Sequence, residues 1–498
     1  MYYDLIIIGS GPAGIATAEH LINTKLKILI VDSGDDLEVK NYKTDTSSWS
    51  GDFQINFDEE RKRAFFGTTA LWKSNGIGGN FWEFDSMDFE SRSNNNQNIR
   101  WGINYNEIKE AYIDAKKFLK IEDKEDKLER LLNKNAWKNL SYKYFVKVAS
   151  TYYQNGNAYN QFILEKKKDI LNSNNITLML STTLDNLILN KKLDRVEKVE
   201  LIDKNNIKIK FSCKNIVIAT GCFENNKILL KLKNQNKLDI KNLGRYITFH
   251  PSFIIGTIPI KKINLLTKED IKDLHKVFIL KDKKLNVNSN FNYGLSITPQ
   301  SKSIFLKIGI LKKIEYLKNL IIKRKYSDLF NYGLKYFTLK EVIEYLIYKI
   351  KYYFTKEKKL DVSISFEHLA DYNSYIDLSK NDDSINVNTI INKKNTSLLK
   401  NAVQTNQKTL KQIFPDFEKF SIDYDNHKFE TNNHHHGGTI IDIEAKRGVV
   451  DTNLKLHNID NIYISGASVF PSSSIYNPTY TIIAMGLRLS KYILSRST

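Results

Sequence analysis

The feature that most constrains the fold is a glycine-rich turn at the start of the chain. An unbroken aliphatic run, Leu5 to Ile8, precedes Gly9-Ser10-Gly11-Pro12-Ala13-Gly14, and a helical pattern follows as far as about Asn23. A continuous aliphatic run is typical of a strand buried on both faces of a parallel sheet. The glycines at the first, third and sixth positions permit a tight turn, a close approach of the backbone to a pyrophosphate, and close packing of helix on strand. The turn therefore predicts a dinucleotide-binding unit whose contacts come from Gly9, Gly11, Pro12, Ala13 and Gly14.

A second apolar run, from Lys25 to Val31, ends at Asp32. In a strand–helix–strand unit of this kind, an acidic residue at the end of the second strand accepts hydrogen bonds from the adenosine ribose. Asp32 is therefore predicted to bind the cofactor, and its charge disfavours a 2′-phosphate. The unit predicts FAD or NAD rather than NADP, and by itself it does not distinguish the first two.

Two carboxy-terminal segments carry a more specific pattern. Residues 434–439 have the sequence His-His-His-Gly-Gly-Thr, and residues 461–489 contain Asn477-Pro478-Thr479 in front of a helical pattern. Together they resemble the carboxy-terminal signature of the glucose–methanol–choline (GMC) flavoprotein oxidoreductases, most closely the sugar-oxidising, pyranose oxidase-like branch. The resemblance implies that the dinucleotide is FAD and that the protein is an oxidoreductase acting on CH–OH donors.

Further blocks, in the same order along the chain, extend the resemblance over nearly its whole length. Residues 61–90 are similar to the family's second flavin-contacting region, residues 214–225 to its third flavin-domain motif, and residues 243–251 to the crossover into its substrate domain. The cofactor-binding residues implied in addition to the first turn and Asp32 are Thr68, Thr69, Trp72, Gly79, Asn80, Leu184, Gly221, Gly466, Ala467, Pro478 and Thr479.

The chain also departs from the family pattern. Five residues, Lys73 to Ile77, separate Trp72 from Gly78, where the family runs from Trp directly into Gly-Gly, so we expect an unusual loop over the flavin. Some sugar oxidases of the family tether FAD through a histidine just before that Trp. Leu71 occupies the position here, and non-covalent FAD is predicted. Residues 440–442 replace a small-polar-then-Arg stretch, so this part of the substrate pocket is expected to differ.

The chemistry of alcohol oxidation indicates which residues act. Removal of the hydroxyl proton accompanies departure of the hydride for flavin N5, and a neutral imidazole suits that step because its pKa of about 6.5 is close to neutral pH. The resemblance implies that His435, four residues before Thr439, abstracts the proton. It also implies that Asn477 hydrogen-bonds and orients the substrate oxygen.

Both assignments have structural alternatives. In an extended segment His434 and His436 would face away from His435, and three adjacent histidines also occur in polar loops or adventitious metal sites. A zinc site needs further ligands at defined spacing, and both cysteines lie far away, so no metal is predicted. Asn477 precedes Pro478 and a helical pattern, as an N-cap residue does. Capping and catalysis are compatible at different atoms.

The motif order predicts an α/β fold in which two domains interleave. A Rossmann-like FAD-binding domain, with a parallel sheet and an accessory β-meander, is predicted from residues 1–105, 165–250 and 432–498. The meander is expected from strands at 176–180, 184–189, 196–202 and 207–211 that lead into 216–219. Residues 106–164 are predicted to form a helical connection or lid, and residues 251–431 an α+β substrate domain on an antiparallel sheet.

The net charge of +19 is spread along the chain with one concentration. Residues 311–359 contain thirteen Lys or Arg and five Asp or Glu, with apolar residues at helical spacing. Two basic amphipathic helices here would contact an anionic membrane surface or recognise a phosphate-bearing substrate, such as a nucleotide- or lipid-linked sugar. Ordinary helices with a solvated basic face are the favoured alternative. No binding motif accompanies the charge, so nucleic-acid binding is not predicted.

Composition also bears on location. Cys213 and Cys222 are expected to be buried thiols rather than a disulfide, which suits a reducing compartment. The chain has no apolar run of about 18 residues and no signal-peptide pattern. A cytoplasmic protein, free or peripheral to the membrane, is predicted.

These observations predict an FAD-dependent oxidoreductase that oxidises a ring hydroxyl of a sugar or glycoconjugate. Two alternatives remain open. One is the same chemistry on a sterol-like or aliphatic alcohol, and the other is a membrane- or partner-docked flavoprotein with little turnover. The electron acceptor, whether oxygen, a quinone or a carrier protein, is not indicated by the sequence.

Overall fold

The structure is a computed structural model that describes residues 1–35, 47–55, 57–70, 80–90, 92–94, 97–120, 144–148, 151–152, 156–259, 278–282, 291–299, 359–380, 384–424 and 429–497. Its α-helices are α1 (Pro12–Ala18), α2 (Phe57–Glu60), α3 (Tyr105–Phe118), α4 (Gly156–Leu171), α5 (Cys222–Asn236), α6 (Lys393–Ile413) and α7 (Thr479–Ser495), and its 3-10 helices are Glu19–Leu21, Gly67–Ala70, Ser86–Phe89 and Ala467–Val469. The strands are β1 (Tyr2–Ile8), β2 (Ile28–Val31), β3 (Ser48–Gly51), β4 (Phe53–Gln54), β5 (Asn80–Phe81), β6 (Arg92–Asn94), β7 (Gln97–Ile99), β8 (Tyr144–Val148), β9 (Thr151–Tyr152), β10 (Ile176–Met179), β11 (Thr183–Leu189), β12 (Val196–Ile202), β13 (Lys208–Ile218), β14 (Arg245–Thr248), β15 (Ser252–Pro259), β16 (Phe278–Asp282), β17 (Tyr293–Pro299), β18 (Lys359–Phe366), β19 (Tyr375–Leu378), β20 (Ile385–Thr389), β21 (Glu418–Lys419), β22 (Phe429–Glu430), β23 (His436–Gly438) and β24 (Ile462–Ile464).

A seven-stranded sheet contains the two strands predicted at the start of the chain. Five of its strands are parallel and follow the order β10, β2, β1, β13 and β24. Ile6 and Ile7 of β1 and Leu29 of β2 are completely buried, as expected of strands covered on both faces. The Rossmann-like parallel sheet predicted from the sequence is confirmed.

The β-meander differs in detail from its prediction. Residues 208–218 form one continuous strand, where two short ones were expected at 207–211 and 216–219. Ser212 and Asn215, between the two expected strands, are held in the sheet by their pairing with β1. The amino-terminal part of β13 pairs antiparallel with β12, and its carboxy-terminal part pairs parallel with β24. The segment 176–179 is not a meander strand. It pairs parallel with β2 and extends the main sheet.

A six-stranded antiparallel sheet follows the order β21, β15, β18, β17, β16 and β8. All but one of these strands come from residues 251–431. The exception, β8, lies within the segment 106–164, where a helical connection was expected. Helices α3 and part of α4 lie in that segment, but residues 144–148 pair with β16 as an edge strand of the sheet.

A five-stranded sheet joins parts of the chain that were predicted to belong to different domains. Its order is β23, β14, β19, β20 and β3. Strands β3, β14 and β23 come from the predicted FAD-binding segments, whereas β19 and β20 come from the predicted substrate segment. Backbone hydrogen bonds therefore cross both predicted boundaries, at 250 and at 432.

The carboxy-terminal helix packs directly on the amino-terminal one. A Cβ atom at Gly486 of α7 would lie 2.9 Å from the Ala13 carbonyl oxygen and 2.9 Å from the Ala16 Cβ of α1. Only glycine permits this approach. Nearer the start of α7, the Thr481 hydroxyl lies 2.7 Å from the Tyr112 hydroxyl of α3. The two ends of the chain thus form one packed layer against the sheet.

Other predictions have mixed outcomes. Cys213 and Cys222 are buried free thiols, and burial raises the pKa of Cys213 to about 12. Within the described residues, no helix is both long and apolar enough to cross a membrane. The basic segment predicted at 311–359 lies outside the described residues except for Lys359, the first residue of β18.

The side chain of Asn461 joins three strands just before β24. It is completely buried. Its oxygen accepts a hydrogen bond from Val196 N at 2.9 Å, and its amide donates to Val196 O at 2.9 Å and to Lys214 O at 3.1 Å. The edge of β24 is therefore held to β12 and β13 by one amide.

Replacing Asn461 with Ala leaves these buried backbone groups without their partner, so we expect a loss of at least about 2 kcal/mol in the free energy of unfolding. Asn458→Ala is the matched control, because the amide of Asn458 bonds Asp239 O at an exposed site. It is expected to cost less than about 0.5 kcal/mol. Urea-induced unfolding followed by circular dichroism measures both, and equal midpoints would contradict the assignment.

Candidate active site

Three glycine turns lie side by side at the carboxyl edge of the parallel sheet. Gly9 follows β1 with φ +103°, Gly221 follows β13 with φ +90°, and Gly466 follows β24 with φ +128°. In the register of the sheet, Ile8 pairs with Ile218 and Ile218 with Ile464, so the three strands end together. In open parallel sheets, the crevice outside the carboxyl ends of the strands is where ligands bind.

The three glycines of the first turn have different surroundings. A Cβ at Gly9 would lie 2.4 Å from the Ala219 carbonyl oxygen, and one at Gly14 would lie 1.9 Å from the Gly9 carbonyl oxygen. A Cβ at Gly11 would meet nothing within 4 Å. Gly9 and Gly14 are thus required by packing, while Gly11 leaves open space beside the backbone at the start of α1. That space fits the predicted approach of a pyrophosphate. Pro12 and Ala13 are the first two residues of α1.

Asp32 fixes the shape of this turn. One carboxylate oxygen accepts hydrogen bonds from Ser10 N at 2.7 Å and Ser10 Oγ at 2.8 Å, and the other accepts from Gly34 N at 2.7 Å. Burial raises the pKa of Asp32, and these hydrogen bonds oppose that shift. A carboxylate oxygen has the capacity to accept more than one hydrogen bond. The geometry therefore allows the predicted contact of Asp32 with the ribose, which stays a prediction.

The segment with Thr68 and Thr69 lies against the first turn. Phe66 N donates to Ser10 O at 3.0 Å, and a Cβ at Gly67 would lie 3.3 Å from the Gly11 Cα. The Thr69 hydroxyl donates to Phe66 O at 2.7 Å. Of the other cofactor contacts expected in this region, Asn80 begins β5, whereas Trp72 and Gly79 lie outside the described residues. Leu184 is half-buried in the meander strand β11.

A buried amide that the sequence analysis did not single out joins the other two turns. The Asn225 oxygen accepts hydrogen bonds from the backbone N and the hydroxyl of Thr220, both at 2.8 Å. Its amide donates to Ser468 Oγ at 2.9 Å and to Ser465 O at 3.2 Å. A buried Asn in the first turn of a helix that follows a glycine turn is the signal that could have identified it. Gly466 and Ala467 are held in place by this contact.

The start of α7 corrects one expectation. Pro478 is the N-cap residue, with no side-chain capping bond, and the helix begins at Thr479. The alternative in which Asn477 caps this helix is therefore wrong. Asn477 is half-buried just before the helix, and its side chain makes no hydrogen bond to another described residue. Its predicted contact with a substrate oxygen remains a prediction.

The three histidines are positioned by a turn of two left-handed asparagines. Asn432 and Asn433 have φ values of +55° and +60°, a conformation that asparagine tolerates better than most residues. The Asn432 amide donates to His250 O at 2.8 Å. The chain then enters β23, in which His436 pairs with Thr248 of β14.

Strand β23 also lies next to two of the glycine turns. The Gly437 carbonyl accepts hydrogen bonds from Cys222 Sγ at 3.4 Å and from the Asn226 amide at 3.1 Å, both in the first turns of α5. Thr439 N donates to Ser468 O at 3.0 Å. The structure thus brings the histidine segment to the same edge of the sheet as Gly221 and Gly466.

The histidine side chains alternate, as predicted for an extended segment. His434 stacks on His250, with ring centroids 4.6 Å apart, and His436 lies 6.0 Å from the same ring. His435 faces the other side, where it packs against Phe223 at 4.3 Å. His435 Nε2 is hydrogen-bonded to a carboxylate oxygen of Glu60. His435 and Asn477 are not hydrogen-bonded to each other, so their shared role stays a prediction.

Burial keeps the other histidines neutral. It lowers the pKa of His434 to about 3 and the pKa values of His250 and His436 well below the usual value, and neighbouring histidines lower them further. Neither ring nitrogen of His436 has a partner of normal hydrogen-bond geometry among the described residues. A backbone group of Thr248 raises the pKa of His436, but this effect is smaller than the lowering caused by burial. His250 Nε2 and His434 Nδ1 are likewise unpaired within that part of the chain.

A second polar cluster lies between residues 472 and 476. The Ser472 hydroxyl accepts from Trp101 Nε1 at 3.0 Å, and the Tyr476 hydroxyl donates to Asp85 Oδ2 at 2.7 Å. Lys281 of β16 bonds the same Asp85 oxygen from the antiparallel sheet. No sequence pattern distinguishes Lys281 or Glu60 from the many other charged residues. Their roles depend on contacts between distant segments.

Because His434 is neutral in the folded protein and protonates in the unfolded chain near pH 6.5, folding stability falls as the pH drops below about 6.5. The decline continues towards the folded-state pKa of His434, about 3. We expect His434→Gln to reduce the slope of unfolding free energy against pH by up to about 1.4 kcal/mol per pH unit. Urea unfolding between about pH 6.5 and 5 tests this, and an unchanged slope would contradict it.

The first turn gives a matched pair of variants. Gly14→Ala forces α1 away from β1, and we expect it to lower the unfolding free energy of the FAD-free protein by about 1–3 kcal/mol. Gly11→Ala adds its methyl to open space, so it should leave that stability nearly unchanged and weaken FAD binding at least about tenfold. Unfolding curves and FAD titrations separate the two effects. Wild-type FAD affinity in Gly11→Ala would remove this turn from the cofactor site.

Comparisons with known proteins agree with this arrangement. Residues 371–486 match the model of the GMC oxidoreductase family, and residues 3–248 match the pyridine nucleotide-disulphide oxidoreductase model. A comparison of amino-acid sequences found no curated protein that matches the chain.

Among solved structures, the chain is similar to three flavoenzyme structures over nearly its whole length. They are formate oxidase (TM-score 0.57, 14% identity, 99% of this chain and 98% of that chain), a variant of Aspergillus oryzae formate oxidase made to study FAD modification (0.53, 15%, 99% and 98%) and pyridoxine 4-oxidase from Mesorbium loti (0.61, 12%, 98% and 99%). At such identities the likeness shows a shared fold.

The open space at Gly11 and the glycine turns beside it fit an FAD molecule bound at the carboxyl edge of the sheet. The family models cover both this edge and the segment that carries the histidines and Asn477. Residues 371–486 form a GMC oxidoreductase domain, and the protein is an FAD-dependent oxidoreductase that acts on CH–OH donors.

Proposed function

We propose that the protein oxidises a ring hydroxyl of a sugar or glycoconjugate. The observation that carries this proposal is the polar character of the buried groups around the histidine segment. His250, His436 and Thr248, which pairs with His436, are buried, and each has a polar side-chain atom without a hydrogen-bond partner among the described residues. Buried polar groups are normally paired, and a substrate with several hydroxyl groups supplies such partners.

The same observation disfavours an apolar alcohol. A sterol-like or aliphatic substrate would leave these groups buried and unpaired, at about 1–3 kcal/mol for each group. By their names, pyridoxine 4-oxidase and formate oxidase act on pyridoxine and on formate, two chemically different compounds. A shared fold therefore does not select the substrate. The buried polar groups are the better guide.

In this proposal the chain supplies the proton acceptor and the orienting contacts. The imidazole of His435 takes the hydroxyl proton, and the side-chain amide of Asn477 holds the substrate oxygen. The amino terminus of α7 favours negative charge developing beside it. Phe223 and Phe249 exclude water from the His435 ring. FAD, when bound, supplies the acceptor for the hydride.

Neutral histidines suit the recognition of hydroxyl groups. A neutral imidazole offers one donor and one acceptor, and a hydroxyl group offers the same pair. A phosphate- or lipid-linked sugar is included in the proposal only because of the positive charge of the segment 311–359.

Anaerobic flavin absorbance tests the substrate class. The purified protein is mixed with free, nucleotide-linked and lipid-linked sugars, and with a sterol and an aliphatic alcohol of matched concentration. The proposal expects bleaching by at least one sugar class and not by the apolar alcohols. Bleaching by an apolar alcohol alone would overturn the substrate class, and readmission of air then shows whether oxygen is the acceptor.

His435→Ala tests the proton acceptor. We expect FAD to remain bound and the rate of flavin reduction by substrate to fall on the order of 10²- to 10⁴-fold, since the general base is lost. His20→Ala is the control, because His20 lies in the 3-10 helix Glu19–Leu21, beyond the far end of α1 from the glycine turns. Stopped-flow reduction measures both variants. A wild-type rate in His435→Ala would remove His435 from this role.

A further inference from the structure

We propose that Glu60 is the positioning residue for His435, the carboxylate that fixes which ring nitrogen accepts the substrate proton. The inference rests on the proposed function, in which His435 is the base. Glu60 is the last residue of α2 and is only 8% exposed. Its Oε2 is hydrogen-bonded to His435 Nε2, across 375 residues of chain.

The carboxylate is itself held in place. The Thr431 hydroxyl donates to Glu60 Oε2 at 2.9 Å, and Thr431 immediately precedes the asparagine turn that positions the histidines. Strand β22, which ends at Glu430, pairs with β4, so the chain on both sides of the contact is fixed by backbone hydrogen bonds. The position of the carboxylate is therefore set by the fold and does not depend on the imidazole alone.

Aromatic rings and one ion pair surround the contact. Phe223 packs on the face of the His435 ring at 4.3 Å, and Phe249 meets it edge-on at 5.8 Å, with an interplanar angle of 89°. Arg61, the next residue after Glu60, pairs with Glu224 and lies over the rings of Phe57 and Phe223. In an environment that excludes water, a carboxylate acts on an adjacent imidazole more strongly than at the surface.

The chemistry follows from the hydrogen-bonding capacity of the two groups. An ionised carboxylate only accepts hydrogen bonds, so the neutral imidazole presents Nε2–H to Glu60 and keeps its lone pair on Nδ1. The substrate O–H bond then breaks and an N–H bond forms at Nδ1, while the proton on Nε2 stays in place. The carboxylate stabilises the imidazolium produced, as a buried carboxylate does for the histidine of a serine hydrolase triad.

A packing role alone does not account for a carboxylate at this position. Burying an ionised group costs more free energy than burying a neutral amide of the same shape. The contact with His435 offsets that cost most when the imidazole becomes positively charged. Glu60 is thus suited to a step in which His435 gains a proton.

The test is stopped-flow flavin reduction of the FAD-loaded protein by the substrate that bleaches it, over a pH series, for Glu60→Gln and Glu60→Asp. In Glu60→Gln we expect FAD content and the substrate concentration for half-maximal rate to be retained. The limiting rate should fall on the order of 10²- to 10⁴-fold, as when the carboxylate of a triad is neutralised. Glu60→Asp, which keeps the charge, should recover part of the loss.

A positioning role also predicts a change in pH dependence that a structural role would not produce. In Glu60→Gln the pH at which the rate is half-maximal should move, because the imidazole has lost its carboxylate. If His435→Ala is slow while Glu60→Gln has the wild-type rate and pH profile, the proposal for Glu60 is overturned and the proposed function stands. If both variants reduce at the wild-type rate, the base assignment fails as well.

Thr431→Val serves where Glu60→Gln does not fold or does not hold FAD. It removes one anchor of the carboxylate and keeps the charge, so we expect a several-fold slower reduction with an unchanged FAD content. A wild-type rate in Thr431→Val together with full activity in Glu60→Asp would overturn the requirement for a precisely held carboxylate.

Discussion

The buried amide of Asn225 is the contact on which the arrangement of the site depends. Its oxygen holds the turn after β13, and its nitrogen holds the turn after β24. Glycines at both turns have positive φ values, and the amide supplies hydrogen bonds to Thr220 on one turn and to Ser465 and Ser468 on the other. The amide thus fixes two parallel strand ends against each other. The turn at Gly9 is aligned with them by the register of β1 on β13.

The histidine segment is attached to this edge by a sheet that crosses the predicted domain boundaries. Strand β23 pairs with β14, and β14 pairs with β19. A displacement of β19 would therefore be transmitted through β14 to His436 of β23 by backbone hydrogen bonds. Lys281 of β16 adds a second link through Asp85 and Tyr476, next to Asn477. The groups proposed to act on the substrate are held by both parts of the protein.

The sequence predicted most reliably those features that depend on contacts between residues close together in the chain. The spacing of Gly9, Gly11 and Gly14 predicts the turn, because Gly9 and Gly14 are required by atoms of the adjacent strand and of the same strand–helix unit, while Gly11 leaves space for a ligand. The alternation of His434, His435 and His436 was predictable for the same reason. The capping role considered for Asn477 was wrong, because Pro478 is itself the N-cap residue, one position earlier than a proline usually occurs.

Contacts between distant segments were not predictable. In the sequence, Glu60 is one glutamate among many and His435 is one of three adjacent histidines. Only the folded structure places the two side chains in contact. Strand β8 was missed because a short edge strand depends on its partner β16 more than on its own residues. The pairing of β3 with β20 was missed because it joins segments more than three hundred residues apart.

The measurement that tests the account most directly is a crystal structure of the purified protein with FAD bound. The pyrophosphate is expected beside Gly11 at the start of α1, and the flavin ring at the edge formed by the turns at Gly221 and Gly466, facing the His435 side chain. A flavin ring on the opposite side of the parallel sheet, or a pyrophosphate away from Gly11, would contradict it.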